Sequence, residues 1–254
     1  MSLSLSEHTQ VGGLNPIILE DKFNLDAECL SNVSLISDWR INNMKDIVII
    51  GAGGFGREVT WLIEDINKKN MEWNIIGFVD DNQAIQGTQI NGYKVVGNID
   101  WLKDQELYVV NAIGDPIIKK KVMDRLEGSK NQYPVLIHPS VIYSESVNFG
   151  EGSIICAGNI ITVNIEIGKH VIINLDCTIG HDAIIGDYST VLPSVNISGF
   201  VKTGECASVG TGTAVIQGVN IGRNTIVGAG AVVVKDLPAN CTAVGSPAKP
   251  IKFR

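Results

Sequence analysis

The 254-residue sequence predicts two units of different class: a Rossmann-like α/β subdomain, then a parallel β-helix of hexapeptide repeats. Three observations predict this. Over residues 46–79 an apolar run, a glycine-rich turn, an amphipathic stretch and a second apolar run follow one another. A six-residue apolar period then holds without insertion from Val147 to Asp236. The two patterns do not overlap, and the change falls near His138-Pro139.

In the first unit, Asp46–Ile50 is an apolar run of buried-strand length ending in Gly51-Ala52-Gly53-Gly54-Phe55-Gly56. From Arg57 to about Lys69, Val59, Leu62, Ile63 and Ile66 recur at helical spacing. Asn74–Val79 is a second strand, closed by Asp80-Asp81. Strand, turn, helix and strand form a βαβ unit, which implies parallel pairing. Glu106–Ile113 reads as a further strand ending in Gly114-Asp115-Pro116, and a charged helix follows to about Leu126. The division expected is residues 1–44 as an extension without assigned role, 45–134 as the α/β unit and 135–254 as the helix.

Cut in sixes from Val147, the third place runs from Phe149 to Val233, and fourteen of its fifteen residues are apolar, Thr203 being the exception. The fourth place holds glycine eight times. A six-residue period supplies one short strand and one corner, with the apolar side chain inward and small residues where the backbone turns. No single rung can bury its face, so rungs stack into one continuous core, and fifteen hexads make about five three-sided coils.

Composition excludes several functions. A formal charge of −7 without a basic run argues against binding a phosphate backbone, so no nucleic-acid partner is expected. Five widely spaced cysteines with no CxxC pair argue against a disulfide framework or a zinc site. Cys156, Cys177, Cys206 and Cys241 read as small buried fillers. No apolar run is long enough to span a bilayer and no secretion signal is evident, so a cytoplasmic location is expected. No histidine or carboxylate cluster has metal-ligand spacing.

The hexad repeat, with the exit Val244-Gly-Ser-Pro-Ala-Lys249, closely resembles the left-handed β-helix of hexapeptide acyltransferases. The left hand comes from that resemblance, because parallel crossovers in general favour the right. Including the order Gly51–Gly56, Phe78-Val-Asp-Asp81, Ala112-Ile-Gly114, Ile137-His-Pro139 and Gly180-His-Asp182, residues 45–254 resemble the PglD/NeuD-type sugar acetyltransferases of bacterial surface-glycan pathways.

The resemblance implies acetyl-CoA as acyl-donor cosubstrate, a UDP-linked amino sugar as acceptor, and a homotrimer with CoA in the groove between neighbours. Histidine titrates near neutrality and can take a proton from an attacking amine, which suits His181 for general-base work with Asp182 assisting. The family's oxyanion donor falls on the backbone N–H at Gly199, one coil beyond His181, and CoA contacts fall near Thr211 and Ala229, with Gly210 and Gly228 permitting close approach. These positions are expected to form a ladder along one edge, with the sugar amine between the α/β unit and that edge. At Thr190 some members carry a second histidine that holds acetyl-CoA; threonine keeps one hydrogen bond but no positive charge. Gly53, Gly54, Phe55, Asp80, Asp81 and Gly114 are the implied nucleotide-sugar contacts.

Of the other histidines, His170 is expected at an exposed corner, His138 in a structural role at the junction, and His8 lies in the extension. One competing reading is O-acetylation of a sialic acid or capsular sugar hydroxyl. Another is a nicotinamide-binding or non-enzymatic scaffold, since Gly51–Gly56 fits GxGxxG. About ninety residues leave no room for a second mononucleotide half with a substrate domain.

Overall fold

The computed structural model describes residues 44–254, so the extension with His8 and Cys29 lies outside the described residues. The α/β unit comprises β1 (Lys45–Ile50), α1 (Gly54–Lys69), β2 (Trp73–Val79), β3 (Gln89–Ile90), β4 (Tyr93–Gly97), β5 (Tyr108–Asn111) and α2 (Pro116–Arg125). Its sheet has the order β3-β4-β2-β1-β5. β1 lies parallel to β2 and β5, β2 is parallel to β4, and β3–β4 is an antiparallel hairpin at the edge. The chain therefore leaves β1 on both sides, and the crevice where open α/β sheets bind ligands falls at the C-terminal ends of β1 and β5. Gly56 lets α1 approach the sheet: a Cβ there would stand 1.9 Å from the Gly51 carbonyl oxygen.

Two-residue strands recur every six residues from Leu136–Ile137 to Val232–Val233. The first begins two hexads before the frame read from Val147. Each pairs in parallel with the strand one coil away, as Ile154, Ile172 and Thr190 do. The prism closes with a hairpin of Cys241–Val244 and Lys249–Phe253. The third-place residues and their small partners form one continuous core down its axis. Thr203, the polar exception, is buried, and its Oγ1 accepts from Gly186 N–H at 3.0 Å.

The turn chemistry differs from that expected. Sixth-place residues take the left-handed conformation, with φ between +52° and +79° from Gly152 to Gly230, and most of them are not glycine. The fourth-place glycines serve stacking instead: a Cβ on Gly180 would lie 2.6 Å from Gly199 N.

One face of the prism is docked on the α/β unit. Leu136, Ile154, Cys156 and Ile172 point outward there and share an apolar cluster with Ile47, Val59, Leu62, Trp73 and Phe78. His138 pins this junction, with Nε2 3.0 Å from Asp65 Oδ2 and Nδ1 2.8 Å from Ser140 Oγ, as a structural role requires. The four cysteines of the described residues are buried, as fillers should be. Among the described residues no helix is long and apolar enough to cross a membrane.

Candidate active site

His181 occupies the fifth place of its hexad, on the edge between the strands Thr178–Ile179 and Ile184–Ile185. Its side chain is about half exposed, and Nδ1 lies 2.8 Å from Asp182 Oδ2. With Nδ1 donating to the carboxylate, Nε2 is left as the acceptor. The left-handed turn at Asp182 (φ +58°) swings that carboxylate back beside the imidazole. Phe200 packs edge-on to the ring at 5.0 Å. Gly199 lies against it, and a Cβ at 199 would come within 2.6 Å of Cε1 and Nε2. Ser198 and Phe200 donate their N–H groups to Val215 and His181 carbonyls, whereas Gly199 N–H has no acceptor among the described residues. An open imidazole nitrogen and an unused backbone donor thus share one patch of this edge.

The remaining positions expected to contact CoA do not join that patch. Gly230 N–H bonds Thr211 O, and Gly212 N–H bonds Pro193 O, so Thr211 and Ala229 stack on the next edge of the prism. The single ladder expected from the spacing is therefore two ladders. The arithmetic explains it: 181 and 199 differ by a full coil of eighteen residues, but 199 and 211 differ by two hexads, which moves one corner round.

Thr190 is buried on the docked face beneath α2, where Lys119 Nζ donates to its Oγ1 at 3.1 Å and to Ser189 O at 3.2 Å. Its hydroxyl is occupied within the chain, so the CoA contact expected there has no free group. Lys119 itself is fully enclosed, and burial pushes its ammonium down to about 7. His170 also departs from expectation. It is buried rather than exposed, stacked on Tyr188 at 5.4 Å and edge-on to Tyr133 at 5.2 Å, and burial lowers it to about 4.

At the β1/β5 crevice a cavity of about 410 Å³ is lined by Gly51, Asp80, Asp81, Ile113, Lys121 and Arg125, among others. Asp80 Oδ2 accepts from Ala52 N–H at 3.0 Å and Oδ1 from Asn82 N–H at 2.9 Å, which ties down the glycine loop. Asp81 is held by Arg125 at 2.6 Å, which keeps its carboxyl below the usual range. Gly53–Phe55 form the N-terminus of α1; Gly53 is its N-cap, no side chain caps it, and no acid sits in its first turn. Those free N–H groups suit an anion. Gly114 lines a separate cavity of about 210 Å³ with Asp115, Leu192, Ser208 and Asn224, on the docked side of the prism. Lys121 and Arg125 were not foreseen from the sequence, although Ile118, Lys121 and Arg125 share one face of α2 at helical spacing.

A stacked-rung prism with a half-exposed His–Asp pair on an edge, behind a parallel α/β unit, defines a hexapeptide-repeat acyltransferase. Comparison with known proteins gives the family. The model of the PglD N-terminal domain matches residues 46–126. A GDP-perosamine N-acetyltransferase of Escherichia coli O157:H7 is 32% identical over 213 residues, covering 80% of this chain and 95% of that protein. The acetyltransferase domain of PglB from Neisseria gonorrhoeae FA1090, solved also with acetyl coenzyme A, superposes with a TM-score of 0.76 at 30% identity, over 82% of this chain and all of that one. PerB from Caulobacter crescentus, solved with CoA and GDP-perosamine, gives 0.72 at 36% identity, over 82% of this chain and 97% of that one. The chain belongs to the PglD/NeuD-type sugar acetyltransferases.

Proposed function

We propose that the protein transfers the acetyl group of acetyl-CoA to the amine of a nucleotide-linked amino sugar, with His181 as general base. The observation that carries this reading is the pairing of His181 with Asp182 at 2.8 Å beside the unused N–H of Gly199. Relatives solved or named with acetyl coenzyme A, CoA and GDP-perosamine support the donor and the acceptor class. The amine attacks the thioester carbonyl carbon while Nε2 of His181 takes its proton. Negative charge on the carbonyl oxygen faces Gly199 N–H. Collapse breaks the carbon–sulfur bond, the imidazolium returns its proton to the CoA thiolate, and the N-acetyl sugar leaves.

In this reading residues 45–134 hold the nucleotide sugar, with Gly53, Gly54 and Phe55 at the phosphates, and residues 135–254 carry out the transfer. The α/β unit covers the face opposite the His181 edge, so in this reading the sugar-holding unit and the imidazole lie on different sides of one prism. A homotrimer answers this by bringing the His181 edge of one copy beside the Thr211–Ala229 edge and α/β unit of another. Ile142 and Ile160, outward on the face between the two edges and 66% and 44% exposed, favour such packing.

The test is CoA release from acetyl-CoA with a nucleotide-linked amino sugar. His181→Ala should lower turnover by about 10²–10⁴-fold; unchanged turnover in a folded variant removes His181 from the mechanism. A hydroxyl acceptor turned over in preference to the amine would overturn the N-acetyl reading.

A further inference from the structure

We propose that Asn164 is a positioning residue for acetyl transfer: its side-chain amide anchors the second carboxylate oxygen of Asp182 and so holds His181 with Nδ1 protonated and Nε2 open. The assignment rests on the reading of His181 as general base and extends it one coil towards the start of the prism.

Positions 146, 164 and 182 are sixth places one coil apart, so they stack along the His181 edge. Asn164 and Asp182 are both left-handed, with φ of +55° and +58°. That conformation suits asparagine and aspartate, whose short polar side chains bond locally, and alone would account for asparagine at 164. The side-chain contact is a separate observation. Asn164 Nδ2 donates to Asp182 Oδ1 at 3.4 Å, while Oδ2 receives His181 Nδ1 at 2.8 Å. Among the described residues no lysine or arginine pairs with Asp182, and no other side chain donates to its Oδ1. Asn164 is itself held by the coil before it. Its backbone N–H donates to Ser146 Oγ at 2.9 Å, and that hydroxyl lies 3.0 Å from Ser144 Oγ. Asp182 N–H donates to Val163 O at 3.1 Å, which fixes the spacing of the two corners.

The Asp182 side chain is 37% exposed. A carboxylate so open to water can turn about its Cβ–Cγ bond or swing into solvent, and one contact to an imidazole does not prevent it. A different donor on each oxygen fixes the carboxylate plane. Only the N–H side of the Asn164 amide can face an anion, so the direction of this contact is set by chemistry.

The consequence falls on the ring. The nitrogen that carries the imidazole proton is decided by the partner of the other nitrogen. With the carboxylate fixed at Nδ1, Nε2 keeps its lone pair beside Gly199. With the carboxylate loose, the proton spends part of its time on Nε2, and a neutral ring protonated there cannot take a proton from an amine at that atom. At 3.4 Å the contact is long for a hydrogen bond, so its loss weakens the base rather than abolishing it.

The experiment compares the full chain with Asn164→Gly and Asn164→Asp, two residues that also accept a left-handed corner. Nitrogen-15 spectra of the histidine rings at about pH 8.5, where imidazole is ordinarily neutral, read the tautomer; the His181 signals are those missing from His181→Ala. The parent should show Nδ1–H, and both Asn164 variants should show a mixture with Nε2–H. In the CoA-release assay Asn164→Gly should lower kcat about threefold to tenfold, the worth of one modest hydrogen bond, with KM within about twofold. Asn164→Asp places a second negative charge on the same edge, so the acid limb of its pH–rate profile should also move up by about half a unit. A His181 tautomer unchanged in both variants overturns the assignment, and so does a fall in kcat that accompanies only a lower thermal midpoint. If His181→Ala keeps its turnover, the general-base reading fails, while the ring spectra still decide whether Asn164 holds Asp182 against His181.

Discussion

Replacing Lys119 by methionine should abolish a specific pH dependence of folding. Methionine keeps an unbranched stem on the buried stripe of α2 and removes the amine. Lys119 is fully enclosed, has no carboxylate among its hydrogen-bond partners, and donates only to Ser189 O and Thr190 Oγ1. Burial therefore lowers its pKa from 10.5 to about 7, with Cys206 and Asp115 opposing the change weakly. At about 1.4 kcal/mol per pH unit, holding the ammonium charged inside costs about 5 kcal/mol relative to water. The sign follows from proton counts. Between pH 7 and 10.5 the unfolded chain holds a proton that the folded chain has lost, so stability rises with pH across that window. Below 7 both states hold it and the penalty is fully present. From pH 7 to pH 9 the linkage should add about 2 kcal/mol to the stability of the parent protein and nothing to that of Lys119→Met. Urea unfolding of both proteins at one protomer concentration, at pH 7 and 9, measures it. A stability gap that does not change with pH would show that the amine is hydrated, and the burial argument would fail.

Three further outcomes are expected. Gly199→Ala puts a methyl group 2.6 Å from the His181 ring, so the imidazole must swing away; CoA release should fall by about 10²-fold or more with the thermal midpoint little changed, because that ring is half exposed. Asp182→Asn replaces the carboxylate at Nδ1 by a neutral amide that can also present an N–H there, and should lower kcat about tenfold or more while KM hardly moves, checked by steady-state kinetics. His170 has its pKa lowered to about 4 by burial, so below 6.5 the unfolded chain takes up a proton first and stability falls with pH. Between pH 7 and 5 the parent should lose about 2 kcal/mol that His170→Phe, which keeps the stack on Tyr188, does not lose; parallel losses would contradict this.

Much of this was legible because repetition and local chemistry carry it. The hexad period located the prism, and Gly51–Gly56 with Asp80-Asp81 located the crevice. Other signals were present but unread. Asn91-Gly92, both at positive φ, makes the turn of the β3–β4 hairpin. Position 119 falls on the stripe of Pro116, Val122, Met123 and Leu126, so helical spacing alone marked Lys119 as an inward lysine. His170 was misplaced because a left-handed corner is normally exposed, and only the docked α/β unit and loop bring Tyr133 down over it.

By itself the sequence determined the order of units, the three-sided winding and the His181–Asp182 pair, since each depends on residues close together in the chain or on a fixed period. The tertiary structure alone decided which prism face is covered, that Thr190 lies beneath Lys119, and that His181 and Thr211 stand on different edges. The physical reason is that these follow from how one unit packs on another. Such packing joins residues seventy or more positions apart, as Lys119 and Ser189 are, through buried area and hydrogen bonds that leave no period in the sequence.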